Sequence, residues 1–175
     1  MMIGGKRMAS STDFILKTVA PSDMSDEAKD AFKALVISAG EVNAQTLPAL
    51  VEAAVALVML YDGDKLFGTA AVKRPHDSHR RDYFRKAKVG ASADSYLLEL
   101  GWIVVHLDYR GQHLASKLIG AALEGAGGSK GIYATTKNDK MLGPLAKFGF
   151  VVQGEPFPSS LDNTVNLTLF ARSST

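Results

Sequence analysis

The sequence contains no cysteine, and this absence removes several classes of protein and of chemistry at once. Disulfide-stapled folds, thiol nucleophiles and zinc sites with cysteine ligands are excluded. Long apolar runs are also missing, since the longest stretches, 51–61 and 96–105, fall short of the roughly 18 residues of a membrane span. The first ten residues lack the apolar core of a secretory signal. We therefore expect a soluble, cytoplasmic protein.

A large charge of one sign is absent as well. The chain has 20 Lys and Arg against 18 Asp and Glu, and a net charge of +2 is too small for a general polyanion binder. Its 175 residues, 46% of them apolar, are enough for one domain with a full core. We expect a flexible N-terminal tail at 1–11 and a single domain over 12–175.

The charge is uneven along the chain. Residues 73–95 contain seven basic and three acidic residues, an excess larger than that of the whole protein. Such a segment is most often a solvated loop, here with a possible short helix at 82–88. It could instead recognise an acidic acceptor, a phosphate or a nucleic acid, although Tyr83 and Phe84 are few aromatics for base stacking. His76 and His79 lack further ligands of suitable spacing, so we expect no metal.

Apolar periodicity predicts the order β-α-α-β-β-β-α-β-α-β-β, which is a mixed α/β (α+β) fold. An Asp-Gly turn at 62–63 joins two of these strands in a hairpin. The predicted strands are 14–19, 55–61, 65–72, 96–105, 131–136, 150–152 and 165–170. The predicted helices are 26–39, one that begins at 46, 113–124 and 140–148.

The segment 99–118 is the most informative part of the chain. A buried strand runs into a short turn with Gly111 and then into a helix, so the amides from Gly111 to Ser116 have no intrahelical partner. The helix dipole and Arg110 add positive charge, and together these groups could bind a pyrophosphate. Many β-turn-α units, however, bind only water at this position.

Two motifs in this region resemble those of the GNAT superfamily of N-acyltransferases. The run Arg110-Gly111-Gln112-His113-Leu114-Ala115 resembles the family element Q/R-x-x-G-x-G/A, between a fourth strand and a long helix. Asn138 and the later Lys147-Phe148-Gly149-Phe150 resemble a second family signature. The resemblance implies a mixed, mostly antiparallel central sheet flanked by helices.

The family resemblance also implies acetyl-CoA as co-substrate, without a metal, and a small-molecule or peptide amine as acceptor. The pantetheine would lie along the strand edge, and its amides and thioester would meet backbone groups there. The protein would be a monomer or a homodimer. The implied cofactor-binding residues are Ile103, Val104, Val105, Arg110, Gly111, Gln112, His113, Leu114, Ala115, Ser116 and Asn138.

Glu99 is the candidate catalytic residue. It is the one carboxylate within 96–105, and desolvation there would raise its pKa toward the range of a useful base. It also lies eleven residues before Arg110, a spacing similar to that of the catalytic Glu in some family members. The alternative is that Glu99 faces solvent or caps a neighbouring element.

Two positions depart from the family pattern. His113 stands where the family usually has glycine, so its side chain could narrow the phosphate site or donate a hydrogen bond to it. Leu145 stands where a tyrosine often serves as general acid, which leaves Tyr133, a water or no acid in that role.

These residues together predict direct acetyl transfer from acetyl-CoA to a primary amine, since no cysteine is present to form an acyl-enzyme. The alternative is a non-catalytic acyl-CoA-binding or nucleic-acid-binding module on the same fold.

Overall fold

The computed structural model describes residues 13–128 and 130–174, so the tail predicted at 1–11 lies outside the described residues. The described strands are β1 (Ile15–Val19), β2 (Ala56–Asp62), β3 (Lys65–Lys73), β4 (Leu98–Val105), β5 (Ile132–Thr136), β6 (Val151–Pro158) and β7 (Asn166–Arg172). The described α-helices are α1 (Asp26–Ser38), α2 (Leu47–Ala53), α3 (Asp77–Lys86), α4 (Leu114–Gly125) and α5 (Leu142–Lys147).

The strands form one sheet in the order β1-β2-β3-β4-β5-β7-β6. Neighbouring strands are antiparallel except β4 and β5, which run parallel. The predicted mixed, mostly antiparallel sheet flanked by helices is therefore confirmed. None of the described helices combines the length and the apolar character needed to cross a bilayer.

Successive side chains along each strand point to opposite faces of the sheet, and both faces are covered by helices. We call the face covered by α4 and α5 the front face; Leu98 and Leu100 of β4 belong to its core. On the opposite back face, α1 and α2 cover Leu57 and Trp102, and α3 covers the end of the sheet that includes Tyr133. Glu99 comes between Leu98 and Leu100 in the sequence of β4, so its side chain points to the back face.

The main difference from the sequence prediction lies in the basic segment. A helix does form there, but α3 begins at Asp77, five residues before the predicted 82–88, and ends at Lys86. Its buried positions are Arg80 and Phe84, one helical turn apart. Because one of the two is charged, the apolar periodicity that would have revealed the helix is missing.

The predicted boundaries differ at the C-terminal end as well. Strand β6 continues to Pro158 rather than ending at 152, across an irregularity between Gln153 and Phe157 that contains Gly154 with φ +63°. The helix predicted at 140–148 is a short 3-10 turn followed by α5.

Candidate functional site

The neighbouring strands β4 and β5 separate in the middle of the sheet. They pair at two positions, Leu98 with Ile132 and Glu99 with Tyr133, and the parallel pairing stops there. On its other side β4 stays paired with β3 through Leu100, Gly101, Val104 and Val105. The backbone edge of β4 that faces β5 is therefore open beyond Glu99, which is the edge where the sequence prediction places pantetheine.

A β-bulge lies in this part of β4. Thr69 pairs with Val104 and Ala71 with Gly101, so Trp102 and Ile103 together oppose Ala70. Trp102 has φ +50°, an uncommon conformation for a large side chain. The buried Thr69 hydroxyl donates a hydrogen bond to the Trp102 carbonyl at 2.7 Å and stabilises this bulge.

The end of β4 presents backbone groups to the gap that opens between β4 and β5. The His106 amide donates to the Phe67 carbonyl on β3 at 2.7 Å, so the Val105 carbonyl of the same planar peptide points the opposite way. That carbonyl accepts a hydrogen bond from Arg110 Nε at 3.1 Å. The Val105 amide, on the same side of the strand as its carbonyl, also faces the gap.

The loop before α4 has the geometry of an anion site. Gly111 has φ +84°, which glycine adopts without steric cost. His113 occupies the N-cap in the left-handed conformation (φ 57°, ψ 30°) and makes no side-chain capping hydrogen bond. The first-turn amides of α4 therefore lack a side-chain acceptor. The left-handed conformation also explains why glycine would suit position 113 in proteins of this pattern.

Tyr109 fixes this loop to the β2–β3 hairpin. Its hydroxyl donates to Asp62 Oδ2 at 2.7 Å, and its ring stacks on Phe67 with centroids 4.0 Å apart. The hydrogen bond to Asp62, with smaller effects of burial and of the carboxylates, raises the pKa of Tyr109 to about 12. The residue before Arg110 is therefore anchored to an element far away in sequence.

Glu99 is buried beside the point where the strands separate, with 6% of the residue exposed. Its Oε2 accepts a hydrogen bond from the Tyr133 hydroxyl at 2.9 Å, and its Oε1 lies 3.1 Å from Lys73 Nζ. The expectation that Glu99 is buried is met, and the alternative of a solvent-facing carboxylate is wrong. The sequence indicates Lys73 only as part of the basic segment and gives no sign of its pairing with Glu99.

Neither Tyr133, which the sequence left open as a general acid, nor position 145 offers a free proton donor. Tyr133 is fully buried, and its hydroxyl donates a hydrogen bond to Glu99. Burial, followed by the charge of Glu99, raises the pKa of the Tyr133 phenol far above its ordinary value. Leu145 is 1% exposed and packs into the front-face core, so its position offers no proton donor.

Helix α3 adds two further polar side chains near Glu99. Partial desolvation is the main cause of a lowered pKa at His79, with Lys73 lowering it further and Glu99 opposing the shift. Desolvation, followed by the charge of Glu99, raises the pKa of Tyr83 to about 12. The rings of His79 and Tyr83 lie 4.1 Å apart. At neutral pH, α3 therefore presents a neutral imidazole and a neutral phenol near Glu99.

Six of the seven basic residues of 73–95 have a carboxylate partner within the protein. Arg80, which is 2% exposed, bonds Asp77, Asp94 and the Ala93 carbonyl. The other ion pairs of the segment are Lys73–Glu99, Arg81–Asp94, Arg85–Asp82, Lys86–Asp82 and Lys88–Glu155. This pairing indicates a helix held by its own charges rather than a surface for polyanions.

Asn138 lies just after β5, as predicted, but its side chain serves a local role. Its Oδ1 accepts a hydrogen bond from the Lys140 amide at 3.0 Å. Together with Thr136 and Thr168 it lines a cavity of about 220 Å³. Thr168 belongs to β7, so this cavity lies on the side of β5 away from β4. Across residues 13–128 and 130–174, no three His, Asp or Glu side chains are grouped as a metal site would need.

The fold resembles several solved structures, an acyl-CoA N-acyltransferase among them. Escherichia coli ElaA is 16% identical, with a TM-score of 0.69 over 91% of this chain and 99% of that chain. An acyl-CoA N-acyltransferase from Pseudomonas aeruginosa is 15% identical, with a TM-score of 0.63 over 91% and 99% of the two chains. Salmonella typhimurium yncA, solved with its cofactor acetyl-CoA, is 16% identical with a TM-score of 0.60 over 91% and 93%.

At these identities the structural likenesses show the fold. No curated protein sequence matches this chain. The model of the acetyltransferase (GNAT) family matches residues 23–150, close to three quarters of the chain, in agreement with the resemblance seen at 110–115. The chain therefore belongs to the GNAT family of acetyltransferases.

Proposed function

We propose that the protein transfers an acetyl group from acetyl-CoA to a primary amine by direct attack within a ternary complex. One observation carries the proposal: Glu99 lies at the last paired position of β4 and β5, where the open strand edge begins. A buried carboxylate, the open backbone edge of β4 and the loop before α4 thus follow one another, and we call this stretch the cleft.

Each part of the cleft would hold one part of acetyl-CoA. The amides of the loop and of the first turn of α4, from Gly111 to Ser116, together with the Arg110 guanidinium, would bind the pyrophosphate. The open edge from Ile103 to Val105 would pair with the pantetheine amides, as a peptide adds to a sheet edge. Arg110 already holds the Val105 carbonyl, so the Val105 amide is the stronger candidate for this pairing. Asn138 stays a candidate for a further contact.

In the reaction the amine nitrogen attacks the thioester carbon, a C–N bond forms, and the C–S bond breaks. The proton lost by the amine passes to Glu99, directly or through a water. A backbone amide of β4 would stabilise the charge that develops on the carbonyl oxygen. With Tyr133 bonded to Glu99 and leucine at 145, the thiolate would leave without a protein acid and take its proton from water. This departure is feasible because a thiol has a pKa of about 8.5.

A second function, a non-catalytic acyl-CoA-binding module, is favoured by one observation. Lys73 and Tyr133 each contact one oxygen of Glu99, so the carboxylate already has a polar partner on both oxygens in the protein alone. A nucleic-acid-binding module has less support, because six of the seven basic residues of 73–95 are paired with carboxylates.

An assay of thiol release from acetyl-CoA with a panel of primary amines tests the proposal. We expect turnover with some amines, and a fall in kcat of about 100-fold or more in Glu99→Gln because a general base is lost. The rise in melting temperature that CoA induces should persist in this variant, since the anion loop is intact.

The matched control is Glu52→Gln, which removes an exposed carboxylate that also pairs with a lysine, Lys29, on another part of the surface. It should leave turnover unchanged. Tight binding of acetyl-CoA without turnover of any amine would favour the binding module, as would normal activity of Glu99→Gln.

A further inference from the structure

The candidate base carries its own ammonium partner. Lys73 and Glu99 lie directly across β3 and β4, and their side chains are 16% and 7% exposed. The ammonium lies 4.8 Å from the centre of the Trp102 ring. It fits there because residue 101 is glycine: a Cβ at Gly101 would be 2.8 Å from Lys73 Cε. The ion pair is therefore mostly buried and packed against Trp102 and Gly101, unlike an exposed surface ion pair.

This ion pair disfavours an acceptor that brings only positive charge. An amine must approach Glu99 to lose its proton, and there it also meets the Lys73 ammonium. Like charges at such short range in a partly buried site repel strongly. The other carboxylate oxygen already accepts a hydrogen bond from Tyr133. Because Glu99 attracts a cation and Lys73 repels it, the ion pair gives a simple cationic amine little net electrostatic gain, whereas a group that carries both charges can match both residues.

We propose that the acceptor carries a carboxylate beside its amine, as a free α-amino acid does, and that Lys73 selects it. This inference rests on the proposed function and names the acceptor class for the same reaction. In an α-amino acid the nitrogen and the carboxylate oxygens are about 3 Å apart. The charges that would receive them, Lys73 Nζ and Glu99 Oε1, are 3.1 Å apart. Lys73 would then contact the carboxylate of the acceptor and Glu99 its ammonium, so each keeps a partner of opposite charge.

Nearby cations are committed elsewhere, which leaves the selecting role to Lys73. Arg80 is buried and bonded to Asp77 and Asp94. Arg74, the residue after Lys73, donates to the Ala53 carbonyl at 3.1 Å. Lys73 alone among these three has the candidate base as its carboxylate partner, so a carboxylate arriving at Glu99 would meet this ammonium first.

The inference is tested with sets of acceptors that share a side chain and differ in whether they carry the carboxylate. Thiol release and product mass are measured with the 20 standard amino acids, their amides and their decarboxylated amines, all with acetyl-CoA. The wild-type protein should acetylate at least one amino acid with a kcat/KM about 10-fold or more above that of its own amide. The decarboxylated amine, which adds only positive charge, should be the poorest of the three.

A variant then assigns the preference to Lys73. In Lys73→Met the ratio of kcat/KM between amino acid and amide should fall to about one, whatever the absolute rates. Lys33→Met on α1, which removes a lysine paired only with Asp30, should keep the wild-type ratio. The comparison of acceptors in the wild-type protein decides the matter even if Lys73→Met does not fold.

Three results would overturn the inference. Amides or decarboxylated amines could be acetylated as well as the amino acids, which would leave the proposed function standing. Lys73→Met could slow all acceptors equally, which would make Lys73 only a support for Glu99. Absence of thiol release with every amine would remove the proposed function itself, and this inference with it.

Discussion

The two ends of the cleft differ in where their polar groups come from. The loop end, residues 105–116, is made of consecutive backbone amides and carbonyls in one strand-turn-helix unit. The carboxylate end consists of Lys73, Glu99 and Tyr133, which come from three strands and are 26 and 34 residues apart along the chain. The first is exposed and open, whereas the second is buried and fully paired.

This difference predicts different responses to substitution. A backbone site depends on the conformation of a few residues and tolerates most side chains that permit it. A buried side-chain network loses function whenever one member is removed, because the partner groups are left unsatisfied. Variants at the loop end should therefore change the affinity for CoA, and variants at the carboxylate end should change the rate of the chemical step.

The largest effect at the loop end is expected from Gly111→Pro. Proline fixes φ near −65° and removes an amide, whereas Gly111 has φ +84°. We expect the affinity for CoA to fall by about 100-fold or more, measured by calorimetry and by loss of the CoA-induced rise in melting temperature.

The control is Gly127→Pro, in the turn after α4, where φ is +77°. It imposes a similar backbone change at the other end of the same helix and should retain CoA binding. Normal CoA binding by Gly111→Pro would show that the phosphate loop lies elsewhere.

A smaller effect, now on the rate, is expected from Tyr133→Phe. The substitution keeps the packing against Phe84, whose ring centroid lies 5.4 Å away, and removes the hydrogen bond to Glu99. We expect kcat to fall about 10-fold, since a hydrogen bond to a charged group contributes about 1.5–3 kcal/mol. The KM for acetyl-CoA should not change.

Tyr96→Phe is the matched control for Tyr133→Phe, because its ring also contacts Phe84, at 5.6 Å. It should leave kcat unchanged. A loss of CoA affinity in Tyr133→Phe, with kcat preserved, would contradict the division between the two ends.

The same division explains what the sequence could predict. The loop end is local, so the strand, Gly111 and the helix that follows were visible in consecutive residues. Burial of Glu99 was also predictable, because it is surrounded by apolar residues on its own strand. Its partners were not, since the register that places Lys73 opposite Glu99 depends on a bulge at Trp102 that no local pattern indicates.

Helix α3 was misplaced for a related reason. Arg80 occupies a core position of the helix, where a pattern of apolar residues would require a leucine or valine. Its burial is possible only because Asp77, Asp94 and the Ala93 carbonyl satisfy the guanidinium. A buried charge does not contribute to a periodic pattern of apolar residues. The sequence of the basic segment therefore predicts a solvated loop.

The smallest effect is expected where the loop end depends on a side chain. Tyr109→Phe removes the hydrogen bond to Asp62 but keeps the stacking on Phe67, so the affinity for CoA should fall only a few-fold. This bond also has a pH signature. The pKa of Tyr109 is raised to about 12 in the folded protein, against about 10 in an unfolded chain.

A raised pKa means that the stabilising contribution is fully present below about pH 10 and is lost as the pH rises through about 12. The melting temperature of the wild-type protein should therefore exceed that of Tyr109→Phe by a constant amount up to about pH 10, and the difference should shrink toward pH 12. Other tyrosines and lysines titrate in the same range, but they are common to both proteins and cancel in the difference. A difference that stays constant to pH 12 would mean that the phenol is not held by Asp62, and that the loop is positioned by its backbone and the Phe67 stacking alone.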